Sequence, residues 1–328
     1  MTVAAETDEV VATVRSAART GKPVLVLAGG SNVVIGDDGF PGTVLLLRTR
    51  GVRVVDRDSR GVLVRAAAGE PWDDFVAHTI ENGLSGLEAL SGIPGSAGAT
   101  PIQNVGAYGQ EVAHTIEAVH VYDRHEDQIR VLSLPECGFA YRSSIFKHSD
   151  RWVVLEVDFR LDVARESAPI RYAELARHLG VEAGDRVGVA RVRETVLKLR
   201  ASKGMVLDAE DPDTRSVGSF FTNPVLSAPQ WAAVQDRLVD AGEPPTWPAP
   251  NGTVKVPAAW LIEKAGFGKG YGGAGGVAIS SKHTLALTHR GGGTTAALLG
   301  LAREIRDGVR DRFGVVLYPE PVLVNCAL

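Results

Sequence analysis

The sequence predicts an α+β fold in two or three lobes. Three observations point to it. Strand-like apolar runs come in succession instead of alternating one for one with helices; residues 84–112 are glycine-rich and aperiodic; and an acidic segment broken by Pro212 interrupts the chain at 209–213. No internal repeat is visible.

Residues 7–21 read as a helix, because Val10, Val11, Val14, Ala17 and Ala18 share a face and Gly21 suits the position past its end. A buried strand at 24–28 leads into the turn Gly29-Gly30-Ser31-Asn32, and strand runs follow at 43–48, 52–55 and 62–67. Pro71 opens a helix to residue 81, stopped by Asn82-Gly83. The stretch 84–112 has too few charges and too many small apolar residues for disorder, so it reads as ligand-lining backbone. Strand patterns resume at 116–122, 128–132 and 152–161. Helical ones cover 172–179, 189–199, 231–241 and 258–265, with a strand at 284–288. Residues 294–313 form a long amphipathic helix with Leu298, Leu301, Ile305 and Val309 on its core face, and 314–323 a strand interrupted by Pro319 and Pro321. The acidic segment 209–213 reads as a linker.

Composition narrows the function. A chain of 328 residues buries enough surface to fold without disulfides or a structural metal. Its net charge of -4, from 35 Lys+Arg and 39 Asp+Glu, gives no basic field for nucleic acid. No apolar run approaches the ~18 residues of a membrane span, and the first nine residues carry acids where a signal peptide has an apolar core. Cys137 and Cys326 make no CxxC pair, and the eight histidines are scattered, so no metal site is expected. The expectation is a soluble cytoplasmic protein, with 37 glycines marking where it becomes informative.

Gly270-Tyr271-Gly272-Gly273-Ala274-Gly275 fits GxGxxG on paper, but it follows a helical run and precedes a strand-like one. A dinucleotide fingerprint needs the reverse, so this is a loop. Walker A, GxSxG and HExxH motifs are absent. Gly29-Gly30-Ser31-Asn32 is better placed, directly after a buried strand, where adjacent glycines let backbone N–H groups approach an anion. Alone it would pass as a tight turn. A second cluster, Gly92-Ile93-Pro94-Gly95-Ser96-Ala97-Gly98-Ala99, repeats the chemistry, and two such loops favour a diphosphate such as a dinucleotide. Gln103 and Asn104 could pair with an amide-bearing ring.

These residues resemble a known family. Gly29 to Asn32, Ser91-Gly92-Ile93-Pro94-Gly95-Ser96 and Gln103-Asn104-Val105-Gly106-Ala107-Tyr108-Gly109 are similar to motifs of the UDP-N-acetylenolpyruvoylglucosamine reductases. Tyr141-Arg142-Ser143-Ser144-Ile145-Phe146-Lys147, Gly218-Ser219-Phe220-Phe221-Thr222-Asn223-Pro224 and Pro319-Glu320-Pro321 agree, in the family's order across nearly the whole chain. Tyr172 resembles the mark of the tyrosine-loop subclass, of actinobacterial type.

The resemblance implies an FAD-binding domain of vanillyl-alcohol-oxidase type over 1–201, in lobes of about 1–66 and 67–201, and a UDP-sugar substrate domain over 202–328. It implies NADPH-dependent reduction of UDP-N-acetylglucosamine enolpyruvate to UDP-N-acetylmuramate through FAD, in peptidoglycan precursor synthesis. Hydride reaches the vinyl CH₂ carbon and a proton the carbon beside it. The residues it implies for FAD are Gly29, Gly30, Ser31, Asn32, Gly92, Ile93, Pro94, Gly95, Ser96, Gly98, Gln103, Asn104, Gly106 and Ala107. Ser219 is implied as proton donor, with Arg142 and Glu320 bracketing the substrate carboxylate. Arginine suits that task as a permanent bidentate cation, and a carboxyl beside a carboxylate is pushed towards its protonated, donating form. Tyr108, Tyr172, Lys203, Asn223, Lys269 and His283 are implied for the substrate. A monomer is expected.

Taken singly, each has an ordinary reading: Arg142 as a solvated charge, Ser219 as a small strand residue, Glu320 as an edge breaker, Tyr172 as a packed aromatic and His283 as a satisfied histidine. Two departures from the family's pattern stand out. Family members usually carry some twenty more residues before the first helix, which help cover the flavin; either the start is assigned too late here or this cover is missing, which bears on flavin retention and stability more than on the fold. Many relatives also have a non-proline where Pro321 follows Glu320. The competing readings are an FAD-linked oxidase of the same fold, which would leave Arg142, Ser219 and Glu320 idle, and a non-catalytic flavin- or sugar-nucleotide-binding module.

Overall fold

The computed structural model describes residues 1–238 and 240–328. Contacts divide it into two units, Met1–Gly30 with Pro41–Ala201, and Ser31–Phe40 with Ser202–Leu328. The segment 31–40, expected in the N-terminal domain, falls in the second unit because Val33–Ile35 pairs in parallel with Val322–Val324.

In the first unit, Thr2–Ala4, Thr43–Leu47 and Val24–Leu27 form a small parallel sheet in that order. The helix Thr7–Arg19 accompanies it, starting where the Glu9 carboxylate accepts the N–H groups of Ala5 and Glu6. Val10, Val11, Val14 and Ala17 are buried as their spacing predicts, whereas Ala18 is exposed. The larger sheet is antiparallel, with Gln128–Ser133, Ile116–Asp123, Trp152–Val163, Gly61–Ala67 and Val52–Asp58 as successive neighbours. The strands at 52–58 and 61–67, expected in the first lobe, therefore belong to this second sheet.

Alternation along Gly61–Ala67 buries Val62, Val64 and Ala66 on one face. Against that core lies the helix Trp72–Glu81, whose Trp72 and Phe75 meet Phe159 with ring centroids 5.1–5.8 Å apart. Each such ring contributes roughly 1.5–3 kcal/mol by leaving water. The helices Ala173–Leu179 and Val189–Ser202 have a core of their own, from Ile170, Leu175, Leu179, Val192, Val196 and Leu199.

The second unit holds two three-stranded antiparallel sheets, Ser216–Ser219, Ala286–His289 and Val277–Ile279, then Val225–Leu226, Thr253–Lys255 and Trp247–Ala249. The helix Thr295–Phe313 sends Ile305, Val309 and Phe313 into a core with Phe220 and Phe221.

Several expectations need correction. The helix expected at 231–241 is Ala228–Gln235: Ser227 and Gln230 form a capping box and Pro229 sits in the first turn, so it starts earlier and stops sooner. Val239, inside the expected span, lies outside the described residues. The tail expected over 314–323 as a strand interrupted by Pro319 and Pro321 pairs regularly only at Val322–Val324, since those prolines cannot donate to a ladder. The strand expected at 284–288 is Ala286–His289. The acidic segment 209–213 is no linker, because it lies inside the second unit and Asp213 is buried. Residues 270–276 do form a loop, closing in the single 3₁₀ turn Ala274–Gly276 before the strand Val277–Ile279, so no α-helix opens at their end.

Candidate functional site

The two glycine clusters come together in the first unit. A Cβ on Gly29 would sit 3.6 Å from Gly95 Cα, so the two backbones touch. Gly92, at φ +72°, leaves room that a Cβ would close, 2.7 Å from Leu197 Cδ2; one on Gly98 would collide with Ala68 Cβ. The second loop is pinned along the molecule. Trp72 N–H donates to Gly95 O at 3.1 Å, Ala97 N–H to Glu70 O at 2.9 Å and Gly98 N–H to Ala68 O at 2.9 Å. Gly92 N–H donates to Asp73 Oδ1 at 2.5 Å, and the same carboxylate takes Arg193 bidentately at 2.6 and 2.9 Å.

Among the described residues, the N–H groups of Gly29, Gly30, Ile93 and Gly95 make no backbone hydrogen bond, and the buried Ser96 Oγ has no protein partner. Unspent donors on touching glycine backbones are what a diphosphate requires. Ser31 and Asn32 belong to the second unit, where Asn32 O accepts Val322 N–H at 3.0 Å.

Three of the expected site residues are non-glycines in the left-handed region, Asn104 (φ 46°), Tyr108 (φ 49°) and Arg142 (φ 51°). Asn104 is buried and spends its amide internally. Its Nδ2 donates to Glu111 Oε2 at 2.8 Å and Ala140 O at 3.1 Å, and its Oδ1 accepts Ala113 N–H at 3.1 Å. The residue therefore shapes the loop with its side chain, instead of offering that amide to a ring as expected. Arg142 Nη2 donates to Gly106 O at 2.6 Å and its guanidinium lies 5.3 Å from the centre of the Tyr141 ring. Tyr108 and Tyr172 meet edge to face at 5.6 Å, and burial pushes the Tyr108 phenol up to about 12.

In the second unit, Ser219 ends a strand after Gly218, and Glu320 N–H donates to Phe220 O at 2.8 Å. The chain from 319 to 321 is thereby laid beside residues 219–221. Phe220 N–H donates to Leu285 O at 2.7 Å, two residues from His283, whose own N–H donates to Ser280 Oγ at 3.2 Å. Asn223 Oδ1 accepts Ala258 N–H at 2.9 Å, closing the start of the helix Ala258–Lys264, and Lys269 follows that helix in the glycine-rich loop.

Sequence reasoning missed Asp73, Glu88 and Asp213. Burial raises the Asp73 carboxyl, but Arg193 and Gly92 N–H outweigh burial and hold it below the usual range. Asp213 likewise resists burial through Ser281 and Arg290, and sits at about 2. Nothing in composition separates these acids from solvated ones; only their partners do.

Comparison with known proteins agrees with this architecture. The FAD binding domain family matches residues 2–132, and the UDP-N-acetylenolpyruvoylglucosamine reductase, C-terminal domain family matches residues 211–324. The UDP-N-acetylenolpyruvoylglucosamine reductase of Salinispora arenicola is 64% identical over 327 residues, covering 99% of this chain and 90% of that one. This chain belongs to the UDP-N-acetylenolpyruvoylglucosamine reductase family. The reductase of Thermobifida fusca is 58% identical, across 99% and 92% of the two chains. The crystal structure of the Thermus caldophilus reductase shares the fold, with a TM-score of 0.64 at 24% identity over 98% of this chain and 91% of that one. The chain is thus an FAD-containing oxidoreductase of a peptidoglycan-synthesis family that uses FAD and NADPH. The touching glycine loops, with their unspent N–H groups and Ser96 Oγ, fit the flavin's diphosphate.

Proposed function

We propose that this reductase converts UDP-N-acetylglucosamine enolpyruvate to UDP-N-acetylmuramate, with residues 1–201 holding FAD and 202–328 the sugar nucleotide. Bound FAD supplies, at its N5, the hydride taken from NADPH. The observation that carries the reading is the bond from Glu320 N–H to Phe220 O at 2.8 Å, which sets two acid–base candidates a hundred residues apart in sequence onto adjoining backbone.

Delivery of hydride to the vinyl CH₂ carbon leaves negative charge on the next carbon and its carboxylate, so that end needs a cation and a proton source. Arg142 supplies the cation. Its Nη2 bond to Gly106 O fixes the guanidinium before substrate arrives, which cuts the entropy lost on gripping a carboxylate. Ser219 Oγ delivers the proton to the carbon, and Glu320 serves as a hydrogen-bonding partner of the carboxylate. Tyr108, Tyr172, Lys203, Asn223, Lys269 and His283 serve the UDP-sugar, and Lys203 brings a point charge suited to a diphosphate. The protein works as a cytoplasmic monomer in this reading, and its small-molecule partners are NADPH and the enolpyruvyl sugar.

The test is anaerobic and takes the two halves separately. In FAD-loaded protein NADPH bleaches the flavin, and the enolpyruvyl substrate restores the oxidised band. Ser219→Ala keeps the bleaching rate and slows restoration by about 10²–10⁴-fold, the usual worth of a positioned acid. Equal loss in both halves removes Ser219 from the proton step. Bleaching without restoration in the unaltered protein makes it a different flavin oxidoreductase.

A further inference from the structure

We propose that Glu88 is a positioning residue of this reductase, its buried carboxylate anchoring the segment that carries Tyr172 to the loop that carries Tyr108. The inference deepens the reading above and rests on those tyrosines contacting the sugar nucleotide.

Glu88 is fully buried, in the turn Glu88–Leu90, and its carboxylate accepts from N–H donors of neutral groups. Its Oε2 accepts Gly86 N–H at 2.7 Å; its Oε1 accepts Gln110 Nε2 at 3.0 Å and Ala168 N–H at 3.1 Å. Gln110 answers by accepting Ala89 N–H at 2.9 Å. Burying a carboxylate is costly, and an apolar side chain would fill the same space more cheaply. What the carboxylate adds is the joining of three segments that are distant in sequence: its own turn, the strand after Tyr108, and the approach to Tyr172.

The joint matters because the helices Ala173–Leu179 and Val189–Ser202 have their own apolar core, separate from the one beneath the large sheet. Polar links therefore help to locate them. Asp73–Arg193 holds the second helix, and Glu88–Ala168 holds the entry to the first. Tyr108 packs on that smaller core, and its ring meets Tyr172 at 5.6 Å. Loosening Ala168 frees Tyr172 from Tyr108 while leaving the glycine loops attached to Asp73.

Glu88→Gln replaces one oxygen with an NH₂ that must face an N–H donor, at nearly constant shape. In the full-length, FAD-loaded protein it raises KM for the enolpyruvyl substrate about ten-fold, while flavin content and the rate of flavin reduction by NADPH stay unchanged. Glu88→Gln/Tyr172→Ala raises KM no further than Tyr172→Ala alone, because both act through one ring. Amide exchange of residues 165–172 speeds about ten-fold, and that of the large sheet does not. Additive KM effects, an unchanged KM, or a parallel loss of NADPH reduction overturns the proposal. If Tyr172→Ala itself leaves KM unchanged, the placement of Tyr172 at the substrate has failed; amide exchange then decides the anchoring by itself, and unchanged exchange refutes it. Should Glu88→Gln not fold, Gln110→Ala removes one donor and must speed the same exchange, or the proposal falls.

Discussion

Arg142 shows how much a single residue carries here. Its backbone is in the left-handed region, its carbonyl accepts Lys147 Nζ at 3.1 Å, and its Nη2 binds Gly106 O. A side chain braced through Nη2 on Gly106 O and Nη1 on Asn104 O has little freedom to lose, which suits the carboxylate grip proposed for its guanidinium fork. Arg142→Lys keeps the charge and loses the fork. Steady-state kinetics with the enolpyruvyl substrate should show KM raised about ten- to a hundred-fold, the worth of a charge-assisted hydrogen bond, with flavin content unchanged. An unaltered KM would remove Arg142 from the carboxylate site. The sequence offered Arg142 through the company of its motif. It offered nothing for Glu88 or Asp73, because a buried acid and a solvated one look alike until their donors, 80 and 120 residues away, are in place.

At the scale of elements, periodicity located helix faces and capping decided their ends. The helix Thr295–Phe313 begins where Thr294 Oγ1 accepts Ala297 N–H at 3.1 Å. Asp37, remote in sequence, accepts the N–H groups of Thr295 and Ala296 at 2.7 and 3.0 Å. Those backbone bonds, Ala296 first, lower the Asp37 carboxyl, so its contribution is present above the usual carboxylate pKa and is lost as pH falls through the lowered value. Thr294→Ala should cost about 1 kcal/mol in denaturant titration at neutral pH. Asp37→Asn should be destabilising at pH 7 and nearly without effect at the acid end. A constant difference across pH would mean that the charge is irrelevant. The Thr294 start was legible in the sequence; the Asp37 cap was not, since it needs the strand Val33–Ile35 beside Val322–Val324. The helix Ala228–Gln235 failed the other way, because its box at Ser227 and Gln230 lies before the apolar positions that drew attention.

For the whole molecule, acid should be the weakness of both units. In the first, Arg151 grips the buried Asp123 at 2.9 and 2.6 Å and, with the His125 and Glu126 N–H groups, holds its carboxyl far below the usual range. In the second, Asp213 stands at about 2, opposed by burial and held by Ser281 and Arg290. Both folded values lie below the unfolded ~3.9, so these groups stabilise fully above about pH 5 and progressively less as pH falls towards 2. The denaturant midpoint should be level from pH 7 to about 5 and then fall steeply. Asp123→Asn should lower the midpoint at pH 7 and flatten the acid slope; an unchanged slope would acquit Asp123.

By itself the sequence determined the glycine loops, the strand and helix faces, and the family motifs, because each is written in neighbouring residues whose spacing and backbone freedom act locally. Only the tertiary structure decided that residues 31–40 join the second unit, that Asp213 is buried within it, and that Glu88 ties Tyr108's loop to Tyr172's segment. Those outcomes depend on which distant donor meets which acceptor. Hydrogen bonds and ion pairs gain their worth from burial, and burial is a property of the folded chain alone.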